Sequence, residues 1–210
     1  AYKLRANHWQ DTTSVELELV GIRLPEPENH AVQAENWEPI LEYKQAPSIK
    51  HLPQWHLYNS HDRKGVDLPQ PVLLYGYDRP DRGFQSDVDR DRPCRTYSSL
   101  ILWSLPPSLT HLRWLIALAK PELIYLGNEI PNFPTADDLR SRASALLGSK
   151  HLNLLALGQE WWVAPCTIVA ALRDLGYACN SFASTHPLDV ELGHLERWYR
   201  YPIEKLSQLL

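Results

Sequence analysis

Residues 2–19 contain two runs whose side chains agree on a single pairing register. If Gln10 and Asp11 turn the chain, positions whose numbers sum to 21 face one another. Tyr2 then meets Leu19, Leu4 meets Leu17 and Ala6 meets Val15 on one face, while Lys3 meets Glu18 and Arg5 meets Glu16 on the other. Gln-Asp is a weak two-residue turn, so a longer loop over residues 9–12 stays open. A lone hairpin is marginal in water, and its apolar face requires further strands. The sequence starts at Ala1, contains no methionine and shows no cleavable signal at its start. We therefore expect residues 1–24 to be the closing hairpin of a β-barrel whose earlier strands lie outside the sequence given.

The 210 residues, 44% of them hydrophobic, suffice for one good core beside the hairpin, and no apolar run is long enough to cross a membrane. A soluble, cytoplasmic protein is expected. The net charge of -4 argues against a strongly basic domain that holds nucleic acid by counterion release alone, so any DNA contact is local. Cys94, Cys166 and Cys179 have no Cys-x-x-Cys spacing, which points to neither a disulfide framework nor a cysteine zinc site.

Residues 25–70 hold six prolines and no sustained period of 2 or 3.6, and read as an extended connector. Trp37, Ile40, Leu41, Tyr43, Leu52, Trp55, Leu57 and Tyr58 make it a strap laid over a neighbouring domain rather than a free linker. Residues 71–210 read as a mixed α/β accessory domain. Buried strands are expected at residues 71–77, 99–104 and 122–127, with a charged loop over 78–95. A helix from about Ser108 to Pro121 makes the last two strands a right-handed βαβ unit with parallel pairing. Beyond it, Thr135 and Asp138 cap a helix that ends at Gly148. A helix over 152–157, a turn, a helix from Pro165 to Gly176 and a strand over 177–182 follow in winged-helix order, and a helix over 203–210 closes the chain.

The strand ending in Asn7-His8-Trp9, the polar turn and the run Val15-Glu16-Leu17-Glu18-Leu19-Val20-Gly21-Ile22-Arg23 resemble the end of the nucleic-acid-binding barrel, of OB type, in bacterial RecJ proteins. Leu105-Pro106-Pro107-Ser108-Leu109, Ile124-Tyr125 and Phe133-Pro134-Thr135 are similar, in order and gap, to the C-terminal domain of that family. The match covers residues 1–24 and 98–136 and loosens over 150–210. Where the family has a glycine near the turn, this chain has Asp11. The resemblance implies the C-terminal portion of a 5′ to 3′ exonuclease for single-stranded DNA, acting in recombination and repair. Its Mn2+ or Mg2+ would be held by an N-terminal catalytic domain of Asp-His-His type.

This chain has no Asp-His-His triplet and lacks the family's glycine-rich, histidine-containing motif, so it is expected to be inactive by itself. His51, His56 and His61 recur every five residues, which suits neither a helix face nor a strand face, and they read as solvated. Asp87, Asp89 and Asp91 lack the glycine and closing glutamate of a calcium loop. The prolines of Leu105-Pro106-Pro107 stand where a phosphate would need amide donors. Candidates for contact with single-stranded DNA are Lys3, Arg5, Asn7, His8 and Trp9, which supply cations and an aromatic plane. Whether Lys3 and Arg5 face DNA or pair with Glu18 and Glu16 stays open. Apart from Arg173 and Asp174, the helix after Pro165 is apolar, which suits burial better than reading a groove. Trp161, Trp162 and Trp198 are candidates for docking a DNA-repair protein, with core packing as the alternative. A protein-interaction module with no DNA role is the rival reading, and a separately encoded small DNA-binding protein a third.

Overall fold

The computed structural model describes residues 2–9, 12–19, 37–57, 68–77, 88–90, 92–127, 129–179, 182 and 186–210. The chain divides into two compact units, Ala1–Glu35 and Asn36–Leu210.

In the first unit β1 (Tyr2–Trp9) and β2 (Thr12–Leu19) form a two-stranded antiparallel ribbon. Its register is the one that charge and hydrophobic matching require, with Tyr2 opposite Leu19, Lys3 opposite Glu18, Leu4 opposite Leu17 and Arg5 opposite Glu16. No closed barrel is present among the described residues.

The second unit begins with β3 (Ile40–Glu42) and β4 (Gln54–Leu57), followed by β5 (Val72–Tyr75), β6 (Val88–Arg90) and β7 (Ser99–Leu102). Helix α1 (Leu109–Ala119) links β7 to β8 (Leu123–Leu126). A five-stranded, all-parallel sheet runs in the order β4-β8-β7-β5-β6. Strands β5 and β7 are near-continuous apolar runs because parallel strands inside a sheet are covered on both faces. Alternation then sorts the side chains. Leu73, Leu100, Leu102 and Ile124 join the main core beneath α1, and Val72, Leu74, Ile101 and Trp103 cluster on the other face. Helix α1 buries the expected stripe of Leu112, Leu115, Ile116 and Ala119. Ser108 caps its start, and Lys120, left-handed at φ 47°, closes its end just before Pro121.

Helix α2 (Ala136–Ser144) opens with the expected capping box: Thr135 Oγ1 accepts from the Asp138 amide at 3.1 Å, and the Asp138 carboxylate accepts from the Thr135 amide at 3.0 Å. Strand β9 (His151–Asn153) leads into α3 (Leu154–Trp161), which meets α4 (Pro165–Asp174) at a 93° bend. No single described helix is long and apolar enough to cross a membrane. Helices α3 and α4 pass that test jointly, but their apolar residues Leu154, Ile168, Val169 and Leu172 lie in the main core. The chain continues through α5 (Leu188–Tyr199) and α6 (Ile203–Leu206).

Residues 37–57, the described part of the expected strap with residues 68–70, are integrated into the second unit. Strand β3 pairs in parallel with β9, and β4 becomes an edge of the main sheet. Trp37 donates to the Ser149 carbonyl at 3.1 Å, Tyr43 bonds Thr110 at 2.7 Å, and Trp114 donates to the Lys44 carbonyl at 3.1 Å. Residues 37–57 are therefore stitched to α1 and to the helical part of their own unit. The expected charged loop likewise contains β6, a third strand-forming piece too short to show a period.

The strand expected over 177–182 is absent from the described part of that segment, Tyr177–Cys179, which is irregular. Its carbonyls are satisfied otherwise: Arg173 donates to Cys179 O at 3.0 Å and to Phe182 O at 2.8 Å. Among the described residues the winged-helix order is therefore not seen. Replacing Thr135 by Ala should cost about 1 kcal/mol of unfolding free energy in urea melts, the usual cost of a lost cap. Trp162→Ala, which empties a core position, should cost about 3–5 kcal/mol in the same assay.

Candidate functional site

Two regions compete for function, one in each unit. In the ribbon, Lys3, Arg5, Asn7 and Trp9 occupy alternate positions of β1, opposite Glu18, Glu16, Ser14 and Thr12. His8 belongs to the other parity, opposite Thr13, with Tyr2, Leu4 and Ala6. Four of the five predicted DNA contacts thus share one parity of positions along β1 and His8 does not. Carboxylate residues, Glu18 and Glu16, stand at two of the four facing positions, so the register leaves open both roles of Lys3 and Arg5.

In the second unit a cavity of about 570 Å³ lies between β3, α1 and α3, with Lys44, Arg92, Trp114, Leu118, His111 and Gln159 in its lining. His111 is 7% exposed. Its Nε2 donates to the Leu155 carbonyl at 2.9 Å, which leaves Nδ1 as the acceptor for the Ser108 hydroxyl at 2.8 Å. Burial pushes its pKa below the ordinary imidazole value against the raising effect of the Leu155 carbonyl, so the ring is neutral. A Cβ at Gly158 would lie 2.8 Å from His111 Cε1 and 2.8 Å from the Val163 carbonyl oxygen, so only glycine lets α3 approach the ring this closely. The Ser108–His111 pair superficially suits nucleophilic chemistry. Here the serine caps α1 and the histidine ties α1 to α3, and Pro106 and Pro107 remove the amides an oxyanion would use.

The carboxyl ends of the parallel strands are the usual address for ligands in such sheets. At the junction of β5 and β7 that space is filled. Tyr77 N donates to Ser104 Oγ at 2.9 Å, Trp103 N donates to Tyr75 O at 2.7 Å, and a Cβ on Gly76 would sit 2.5 Å from Trp103 Cβ. Trp162 then lies with its ring 5.6 Å from those of both Tyr75 and Tyr77. A second cavity of about 420 Å³ opens at the ends of β4 and β8, beside Gly127 and Arg200. The Arg200 guanidinium is already paired with Glu196 at 2.8 Å.

The docking residues need correction. Trp161 and Trp162 are each 7% exposed and belong to the main core, so neither offers a surface to a partner. Trp198 is half-buried, and its indole donates to the Pro106 carbonyl at 2.7 Å. The apolar pattern that suggested docking is the signature of a helix pair buried on several sides. Helix α4 is buried along Thr167–Leu172, as its composition implied.

Of the metal candidates, His56 stacks on Tyr125 with ring centroids 5.3 Å apart and His51 is exposed, while His61 lies outside the described residues. Asp89 accepts from Arg95 at 2.8 Å and from Tyr97 at 3.0 Å, and Asp87 and Asp91 lie outside the described residues. The oxygen-rich donor set that paired Mg2+ or Mn2+ ions need is not gathered anywhere among the described residues.

The buried His111 generates a pH prediction. The unfolded chain binds a proton near pH 6.5 while the folded one does not until lower pH, so this residue's contribution to stability is whole above about pH 6.5 and is lost as pH falls below it. The slope of unfolding free energy between pH 7 and pH 5.5, from urea melts, should be shallower in His111→Gln than in the parent chain. Comparison of the sequence and structure with protein-family models, curated proteins and solved structures found no match.

Proposed function

We propose that this chain is the non-catalytic C-terminal portion of a RecJ-like 5′ to 3′ exonuclease for single-stranded DNA, with its ribbon contributing to strand binding and its second unit to partner recruitment. The observation that carries the reading is the β1–β2 register. It sets two cations, an amide side chain and an indole at alternate positions of one strand. Single-strand binding requires that combination: cations that follow the backbone and an aromatic plane for a base, at about 1–3 kcal/mol per stacked base. The Ser108 and Thr135 helix caps lie within the two Leu-Pro and Phe-Pro-Thr strings that resemble the family, which gives those strings a local structural purpose. Any Mn2+ or Mg2+ belongs in this reading to the catalytic domain of the intact enzyme.

The rival role, protein interaction without DNA, draws support from the 570 Å³ cavity, where Trp114 and Leu118 lie beside Lys44 and Arg92. With Trp161 and Trp162 buried, Trp114 is the residue through which that role would be tested.

Fluorescence anisotropy of a labelled single-stranded oligonucleotide, with duplex as control, distinguishes the two. We expect salt-sensitive preference for the single strand, weakened about 5- to 150-fold by Trp9→Ala. Lys3→Ala should flatten the slope of log affinity against log salt by about 0.7, the value of one phosphate contact on a single strand. Affinity unaffected by either change, with partner capture lost in Trp114→Ala, would select the interaction role. Metal-dependent digestion of a 5′-labelled strand by the purified chain would refute the non-catalytic assignment.

A further inference from the structure

Outside the two regions above, the N-terminal turn of α5 gathers three donors of mixed chemistry. Glu191 is 3% exposed although it carries a carboxylate. His186 Nδ1 lies 3.1 Å from its Oε1 and His194 Nδ1 lies 3.6 Å from its Oε2, and the two rings meet edge to face at 4.9 Å. One donor atom from each residue falls within 4.8 Å of the other two. We propose that His186, Glu191 and His194 form a site for a zinc-class divalent cation.

Geometry and chemistry both support it. Zinc bonds nitrogen at about 2.0–2.1 Å, and a tetrahedron with such bonds has donor-to-donor edges of about 3.3 Å, so three donors already within 4.8 Å of one another need only a small inward movement to meet on one ion. Two imidazoles and one carboxylate are borderline donors suited to Zn2+ or Co2+ and a poor match for Mg2+ or Ca2+. The carboxylate is held from behind: the His186 amide donates to Oε1 at 3.1 Å, and the Cys166 thiol donates to it as well. The open side faces water, because the His186 and His194 side chains are 56% and 41% exposed. A cation can enter there, each ring can keep its proton on Nε2 while Nδ1 ligates, and a fourth position is left for water. Glu191 and His194 stand at i and i+3 on one helix face, and His186 reaches them from just before the helix start.

The test uses the full chain, stripped of metal by chelation, titrated with Zn2+ in a calorimeter and melted with and without the ion. We expect one equivalent to bind with micromolar or tighter affinity and to raise the melting temperature in a concentration-dependent way. His186→Ala and His194→Ala should each weaken binding by more than about tenfold, comparable to the loss of an established supporting group. His51→Ala, an exposed histidine elsewhere, should change nothing. Both test histidines are substantially exposed, so their variants should fold, and circular dichroism checks this. Glu191 is left unaltered because its removal threatens the fold itself. The absence of one-equivalent binding, or binding equal in parent and both variants, would overturn the proposal and leave Glu191 as the anchor of the segment that leads into α5.

Discussion

Strand β7 is the element on which the second unit depends. It is hydrogen-bonded to β5 on one side and β8 on the other, and Ser99–Leu102 are wholly withdrawn from water. A strand so placed contributes apolar side chains, paired backbone and one hydroxyl, Ser99, which donates to the Pro69 carbonyl at 2.8 Å, and its continuation sets the surroundings. The Trp103 amide bonds Tyr75, the Trp103 ring joins the minor cluster, and Leu105-Pro106-Pro107 turns the chain into α1. The same tight packing closes the crevice where many parallel sheets bind nucleotides. Aromatic rings from Tyr75, Tyr77 and Trp162 take that space at the β5–β7 junction, while the cavity at the ends of β4 and β8 stays open.

This packing separates support from function. The helical part lies against the sheet through Trp162 and the His111–Leu155 bond, and the strap laces both together through Trp37, Tyr43 and Lys44. These contacts bury Trp161 and Trp162 and pack Trp37, Leu41 and Trp55 on the core, while Ile40, Leu52 and Leu57 stay exposed. What they leave for recognition is local: the alternate positions of β1 in the first unit, and in the second the 570 Å³ cavity and the Glu191 cluster.

The most legible parts were those in which several local signals agreed. The ribbon register followed from charge and hydrophobic matching, and the capping box at Thr135 and the proline at the start of α4 set their helix starts within a residue or two. Strands β3, β4, β6 and β9 are three or four residues long, too short to establish a period, and two of them lie among prolines. Helix α5 was hidden for a different reason. It lacks a side-chain cap, contains Gly193, and its buried face includes a glutamate, so the apolar stripe is broken where Glu191 turns inward. That same break marked the histidine–glutamate cluster, whose signal is His186, Glu191 and His194 at spacings that fit one helix turn and its approach. The recurring His51, His56 and His61 formed the more visible pattern, but His51 and His56 lie on no helix and His61 lies outside the described residues.

In the function proposed above, single-stranded DNA is held by the ribbon and the second unit is a scaffold and recruiting surface. Amide hydrogen exchange of the full chain, with and without a single-stranded oligonucleotide, tests it most directly. The account predicts added protection over Tyr2–Trp9, with the amides of β5, β7 and β8 unchanged. Protection that appears around Lys44, Arg92 and Trp114 and leaves β1 unaltered would contradict it, because the DNA would then occupy the cavity of the second unit.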